Sequence, residues 1–273
     1  MIQYKTPKLC VYESALYRTT STVIATDDLI LVVDPNWLPL EIDAIADDIE
    51  DLFPKRPLYL LFTHSDYDHI IGYGAFPGAG VIAAAAFSQR NDTAEILAQI
   101  RDFDDEYYIN RHYPISYPKV DHLITADESA IQIGDTRLIF WQAPGHTNDG
   151  LMTLVEPLGV LIAGDYLSNI EFPFIYHSSR AYEETLDKAE TIIHRFQPLL
   201  LVPGHGDATS DIGEMQFRVN ESRLYISELR NCLVEGRNYP TEQLWKRYRF
   251  PGSMLKSHEA NINLIKKELA ATS

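Results

Sequence analysis

Leu58-Tyr59-Leu60-Leu61-Phe62-Thr63-His64-Ser65-Asp66-Tyr67-Asp68-His69 is a short apolar run that ends in a dense set of metal-ligand side chains. Leu58–Thr63 predicts a buried strand, because it is apolar, β-compatible and too short for a helix. Side chains two apart in extended chain point the same way, so His64 and Asp66 can approach one cation together. A turn after them carries Asp68 and His69 toward a second cation. Ligands at the end of a strand are held by a stiff element and stay open to substrate.

The same pattern recurs three times downstream. Trp141-Gln142-Ala143-Pro144-Gly145-His146-Thr147 follows an apolar run near Ile139, Leu161-Ile162-Ala163-Gly164-Asp165 ends a second, and Leu201-Val202-Pro203-Gly204-His205-Gly206 ends a third. Each ligand is preceded by glycine, which allows a tight or left-handed turn beside a crowded centre. Imidazole and carboxylate at three or four ligands per ion suit zinc, or iron or manganese as the carboxylate share rises.

Outward from these segments, strands are predicted at Thr22–Ala25, Leu29–Asp34, Val81–Ala84, Arg137–Gln142, Leu151–Val155, Val160–Ala163 and Leu199–Val202. Helical spacing marks Leu40–Leu52, Ser88–Ile100, Tyr182–Phe196, Asn220–Glu235 and Ile262–Ala271. In the first of these Ile42, Ile45, Ile49 and Leu52 share a face. Hairpin-like succession around Gly134-Asp135 and Pro157-Leu158-Gly159, interrupted by helices, predicts an α/β protein with two sheets and helices on their outer faces. No repeat or linker divides the chain, so residues 1–273 are expected to form a single domain. It would carry a helical insertion at about 86–120 and a helical extension from about 210.

The chain of 273 residues has 39 acidic and 23 basic residues, a net charge of −16, with 45% hydrophobic residues. That is a globular composition, and its acidity disfavours nucleic acid and anionic membrane as partners. Cys10 and Cys232 are far apart and read as small buried hydrophobes, so a disulfide framework is excluded. The start, Met1-Ile2-Gln3-Tyr4-Lys5, has no apolar signal core and no segment reaches bilayer-spanning length. A soluble, cytoplasmic protein acting on a small molecule is the expectation.

From about Leu29 to Gly206 the sequence resembles the metallo-β-lactamase superfamily of dinuclear metallohydrolases, with the four ligand segments in the family's order. The resemblance implies a four-layer αββα sandwich of two mixed sheets flanked by helices, with the metal site at one edge. It implies two divalent metal ions, zinc first and iron or manganese otherwise. His64, Asp66 and His146 would bind one ion, Asp68, His69 and His205 the other, and Asp165 would bridge them. It also implies a hydrolase that uses a metal-bridging hydroxide, with Asp68 as a catalytic group that orients it and returns a proton to the leaving atom.

One position departs from the family's usual His-x-His-x-Asp-His: Asp66 replaces the second histidine. Two dications are then balanced by three carboxylates and one hydroxide, where the histidine version would keep a positive charge. A neutral centre pulls less on anions, so esters, lactones, thioesters or amides are expected ahead of phosphodiesters. The carboxylate also suggests two alternatives: a stand-alone diiron oxygen-binding or oxygen-reducing protein of the same fold, or a non-catalytic metal-binding regulatory module. Pro144-Gly145-His146-Thr147 and Pro203-Gly204-His205-Gly206 look like the hydrolase branch. Thr63 and Thr147 flank ligands, Asp34 is expected to support the site, and the loop Tyr166–His177 is expected to wall the pocket. The stretch Asp102–Tyr113 is read as a cap or a solvated helix face.

Overall fold

The computed structural model describes residues 1–52 and 56–271; the side chain of Leu52, expected on the apolar face of the first helix, lies outside the described residues. In chain order the elements are β1 (Ile2–Thr6), β2 (Leu9–Glu13), β3 (Thr20–Ala25), β4 (Ile30–Val33), α1 (Pro39–Leu52), β5 (Leu58–Leu61) and α2 (Tyr67–Ile70). Then come β6 (Gly80–Ala84), α3 (Ala85–Ser88), α4 (Thr93–Glu106), β7 (His122–Ile124), β8 (Ser129–Ile133), β9 (Thr136–Gln142) and β10 (Leu151–Glu156). The chain ends with β11 (Val160–Ile162), α5 (Ser179–Phe196), β12 (Leu200–Val202), α6 (Ile212–Val234), α7 (Thr241–Arg247) and α8 (Pro251–Ala271).

Among the described residues the strands form a seven-stranded sheet in sequential order β1 to β7 and a five-stranded sheet ordered β12-β11-β10-β9-β8. Both are mixed. The first is antiparallel from β1 to β4 and parallel from β4 to β7, while only β11 and β12 pair in parallel in the second.

Period-two alternation builds three hydrophobic layers from these strands. On β4, Ile30 and Val32 face outward and pack with Ile42, Ile45 and Ile49 of α1. Leu31 and Val33 of the same strand face inward and meet Leu138, Phe140, Val155 and Ile162 of the other sheet. The outward residues of that sheet, among them Ile139, Trp141, Leu154 and Leu161, pack on Leu186 and Ile193 of α5, Val219 and Ile226 of α6 and Ile265 of α8. Helix, sheet, sheet and helix are therefore stacked as an αββα sandwich. Strands buried on both faces read as continuous apolar runs for this reason.

The eight strands expected from sequence are present within a residue or two of their expected ends. The structure adds β1, β2, β7, β8, α2 and α7. The helix expected at Ser88–Ile100 divides: α3 stops at Ser88 and α4 starts at Thr93, after the exposed Asn91-Asp92. In the insertion, residues 107–121 carry no helix. α6 begins eight residues before Asn220, at Ile212, because the Asp211 carboxylate caps it by accepting from the Gly213 and Glu214 amides. The segments after β5, β9, β11 and β12 meet at one edge of the sandwich and carry all seven expected ligands, five on loops and Asp68 and His69 on the single turn of α2.

Candidate metal centre

The seven side chains converge. His64, Asp66 and His146 form one group in which each residue offers a ligand atom within 4.8 Å of the others, and Asp68, His69 and His205 form a second. In the first, Asp66 Oδ2 lies 3.7 Å from His64 Nε2 and 3.2 Å from His146 Nε2. In the second, Asp68 Oδ2 lies 3.6 Å from His69 Nε2 and 3.5 Å from His205 Nε2. Asp165 stands between the groups: Oδ2 is 3.8 Å from His64 Nε2, 3.2 Å from His146 Nε2 and 3.4 Å from His205 Nε2, and Oδ1 is 3.1 Å from His69 Nε2.

Every ring presents Nε2 to the centre because its Nδ1 is engaged behind it. His69 Nδ1 lies 2.9 Å from Asp34 Oδ2, and His146 Nδ1 donates to the Phe174 carbonyl at 2.7 Å. His205 Nδ1 donates to the Tyr17 carbonyl at 3.0 Å, and His64 Nδ1 lies 3.0 Å from Thr63 Oγ1. Outer partners of this kind fix the tautomer and the aim of a ligand. Two of them are backbone carbonyls, which leave no trace in the sequence. Of the flanking threonines, Thr63 takes this role, whereas Thr147 Oγ1 is buried without a hydrogen-bond partner among the described residues.

The glycines before the ligands act in two ways. Gly164 and Gly145 adopt positive φ, +57° and +138°. Gly204 does not; a Cβ there would collide with Asp165 Oδ1, so that position needs glycine for space.

Burial and mutual charge set the protonation of the centre. Burial lowers His69, but Asp165, Asp68 and Asp34 more than offset it and hold the imidazole well above its ordinary value. His146 behaves likewise beside Asp165 and Asp66, and His205 is raised to about 10 after burial is offset by Asp165, Glu171 and Asp68. Burial raises Asp66 and Asp165, yet the surrounding imidazoles hold both carboxyls well below the usual carboxylate range.

The donor set fits divalent cations. His64 Nε2, His69 Nε2 and Asp165 Oδ1 are buried without a hydrogen-bond partner among the described residues, although groups so placed in a protein interior are normally paired. Nitrogen and oxygen atoms about 2.1 Å from one tetrahedral ion sit roughly 3.4 Å from each other. The spacings of 3.1–3.8 Å around Asp165 and of 3.2–3.7 Å around Asp66 bracket that value.

A cavity of about 740 Å³ opens beside the first group, against Asp66, Tyr67, Thr147 and Tyr176. From the insertion its wall takes Gln89 to Asp92, Glu95 and Gln99, not the stretch Asp102–Tyr113 expected as a cap. Of the loop after Asp165, Tyr176 and His177 reach this cavity, while Phe172 is buried among Tyr225, Tyr248 and Phe174. Polar residues around Arg90 carry no motif, so the sequence did not announce this wall. Outside the ligand set, His112 pairs with Asp43 at 3.3 Å, His194 is exposed, and His258 is buried against Tyr225.

The model of the metallo-beta-lactamase superfamily matches residues 16–205. Comparison with curated proteins returns no match. Among solved structures, an archaeal metallo-beta-lactamase superfamily protein from Sulfolobus tokodaii is 18% identical, with a TM-score of 0.58 over 96% of this chain and 100% of its own. The metallo-beta-lactamase DIM-1 is 13% identical, with a TM-score of 0.56 over 82% of this chain and 97% of its own. The inverting sec-alkylsulfatase Pisa1 from Pseudomonas sp. is 14% identical, with a TM-score of 0.67 over 85% of this chain and 42% of the sulfatase. At these identities the structures share the fold alone. The matched region, running from ahead of β3 to the last of the seven side chains, is decisive for descent: the chain belongs to the metallo-beta-lactamase superfamily.

Proposed function

We propose that the protein is a hydrolase dependent on two divalent metal ions, zinc first and iron or manganese otherwise, that cleaves a small neutral acyl substrate: an ester, lactone, thioester or amide. The observation that carries this reading is the meeting of two ligand trios on one carboxylate, with Asp165 within 3.8 Å of an imidazole nitrogen from each of four histidines. Two ions held there supply water acidified toward neutrality and a Lewis acid for a carbonyl oxygen. The chain's own work is to aim and to move protons. Asp165 and the four outer partners of the imidazoles fix the donors before substrate arrives, which removes reorganisation from the reaction. Asp68, at 13% the most exposed side chain of the second trio, would orient the attacking water and return a proton to the leaving atom.

The neutral substrate class is supported by the cavity wall. It carries the carboxamides of Gln89, Asn91, Gln99 and Asn148 and the carboxylates of Asp66, Asp92 and Glu95. Its one guanidinium, Arg90, is already paired with Asp92 at 2.8 Å. Anions, nucleic acid included, meet net negative charge there and over the whole chain. Among the described residues no helix is long and apolar enough to cross a membrane, and Cys10 and Cys232 are buried and free. We place the enzyme in the cytoplasm, acting as one folded unit of residues 1–273.

Metal analysis of protein purified without added metal, followed by assays on ester, lactone, thioester, β-lactam and phosphodiester substrates, tests the reading. The expected result is two ions per chain and turnover of a neutral acyl compound that vanishes in Asp68→Ala and His146→Ala. Two irons with an oxygen-sensitive visible spectrum would move the assignment to diiron oxygen chemistry. Tight binding of metal with full turnover retained in Asp68→Ala would overturn the role given to that carboxylate.

A further inference from the structure

The segment from Ile212 onward carries none of the seven ligands, yet α8 reaches the centre through one side chain. Asn261 is fully buried. Its Nδ2 donates to the Pro173 carbonyl at 2.6 Å and to the Tyr225 hydroxyl at 2.9 Å, and its Oδ1 accepts from the Ile175 amide at 2.9 Å. The residue between those two anchors is Phe174, whose carbonyl accepts from His146 Nδ1 at 2.7 Å. On the other side the Tyr176 amide donates to the His146 carbonyl at 2.9 Å.

We propose that Asn261 is a positioning residue for the first metal trio, with α8 clamping the loop 173–175 so that Phe174 aims His146. The inference rests on the dinuclear reading above. Meeting both loop groups takes a donor and an acceptor on one side chain, which the carboxamide supplies, since the Pro173 carbonyl can only accept and the Ile175 amide can only donate. His205 and His69 are held by Tyr17 and Asp34, so the outer partners of the second trio's imidazoles lie outside this clamp. Losing an outer partner of a ligand typically weakens metal binding by 10–100-fold, and a partner one step further out acts near the lower end.

The test measures zinc affinity by chelator competition in the full chain and in Asn261→Asp, Asn261→Leu and Ile265→Ala. The exchange of the His146 Nδ1 proton is followed by NMR in the metal-free proteins. Asn261→Asp keeps the shape and the acceptor and, measured on the alkaline side where its carboxyl is ionised, has no donor for Pro173. Ile265→Ala empties a buried position on the next turn of α8 and removes none of the hydrogen bonds that hold the loop. Both Asn261 variants are expected to lose about tenfold in affinity for one of two zinc ions, to keep the other, and to exchange the His146 proton faster. Ile265→Ala is expected to melt earlier with both ions held as in wild type. Unchanged affinities and an unchanged His146 proton in Asn261→Asp would overturn the proposal, as would an equal, selective loss in Ile265→Ala. A wild-type chain that takes up fewer than two zinc ions would overturn the dinuclear reading instead, and the His146 proton then decides the clamp by itself.

Discussion

Asp34 shows how one residue outside the seven candidate ligands can hold a side chain of each trio. Its Oδ1 accepts the Thr63 amide at 2.9 Å, while Oδ2 accepts the Thr63 hydroxyl at 2.6 Å and faces His69 Nδ1 at 2.9 Å. Because the Thr63 proton is committed to Asp34, the Thr63 oxygen is left to accept from His64 Nδ1. A single carboxylate thus orients a ligand of each trio. It does so from a left-handed backbone, φ +45°, which costs about 1–3 kcal/mol in a non-glycine residue. Its carbonyl is held there by the Ser21 hydroxyl and the Asn36 amide. Asp34→Asn replaces one acceptor by a donor that opposes His69 or Thr63, so zinc affinity is expected to fall roughly 10–100-fold at both sites. Competition with a calibrated chelator measures it, and wild-type affinity in this variant would refute the coupling. Asp66 is the complementary case, a ligand position where charge is the variable. Asp66→His adds one positive charge to the centre, so kcat/KM for an anionic phosphodiester should rise relative to a neutral ester. An unchanged ratio would remove charge as the reason for the neutral substrate class.

At the scale of elements, legibility followed burial, β2 excepted, where only Leu9, Cys10 and Val11 are buried. β4, β5, β10 and β11 are buried on one or both faces and were readable as apolar runs. β1 is edge chain with Ile2 and Tyr4 exposed, β7 has His122 and Leu123 exposed, and β8 alternates Ala130 and Gln132 with half-buried partners, so none gives a run. α6 hid its start because its buried face includes Arg218 and Ser222 while Phe217 and Leu224 point to solvent, which blurs the helical period. The seven side chains that meet at the candidate centre were legible, since each follows an apolar strand. The carbonyls of Tyr17 and Phe174 and the clamp at Asn261 were not, because backbone acceptors and a lone buried amide have no pattern in sequence. α5 offers an element-level test in which stability and metal binding separate. Ser178 Oγ accepts from the Ala181 amide and caps a helix that packs on the second sheet. Ser178→Ala is expected to cost about 1 kcal/mol, read as a lower urea midpoint, with metal content unchanged. Loss of metal along with stability would instead tie the start of α5 to the centre.

For the whole molecule, the centre makes stability and metal binding functions of pH in opposite ways. In the metal-free chain His69, His146 and His205 have raised pKa values, His205 about 10, so the folded state holds protons that an unfolded histidine, with a pKa near 6.5, releases. The stabilisation from these groups is therefore complete below about 6.5 and is lost as pH rises through about 10. Asp66 and Asp165 have lowered values, so their contribution is present above about 3.8 and fades as pH falls below it. Metal-free protein should accordingly be most stable between these limits and should weaken on the alkaline side. Zinc takes the place of the imidazole protons, so the loaded protein should lack that alkaline decline and binding should release protons. At pH 8 the raised imidazoles would give up protons on loading, about one of them from His205. Calorimetry in buffers of different ionisation enthalpy counts them directly, and thermal melts of metal-free and loaded protein across the same range measure the two stability profiles. Release of fewer than about one proton, together with parallel pH profiles for the two forms, would mean that ions do not replace the protons shared among these carboxylates.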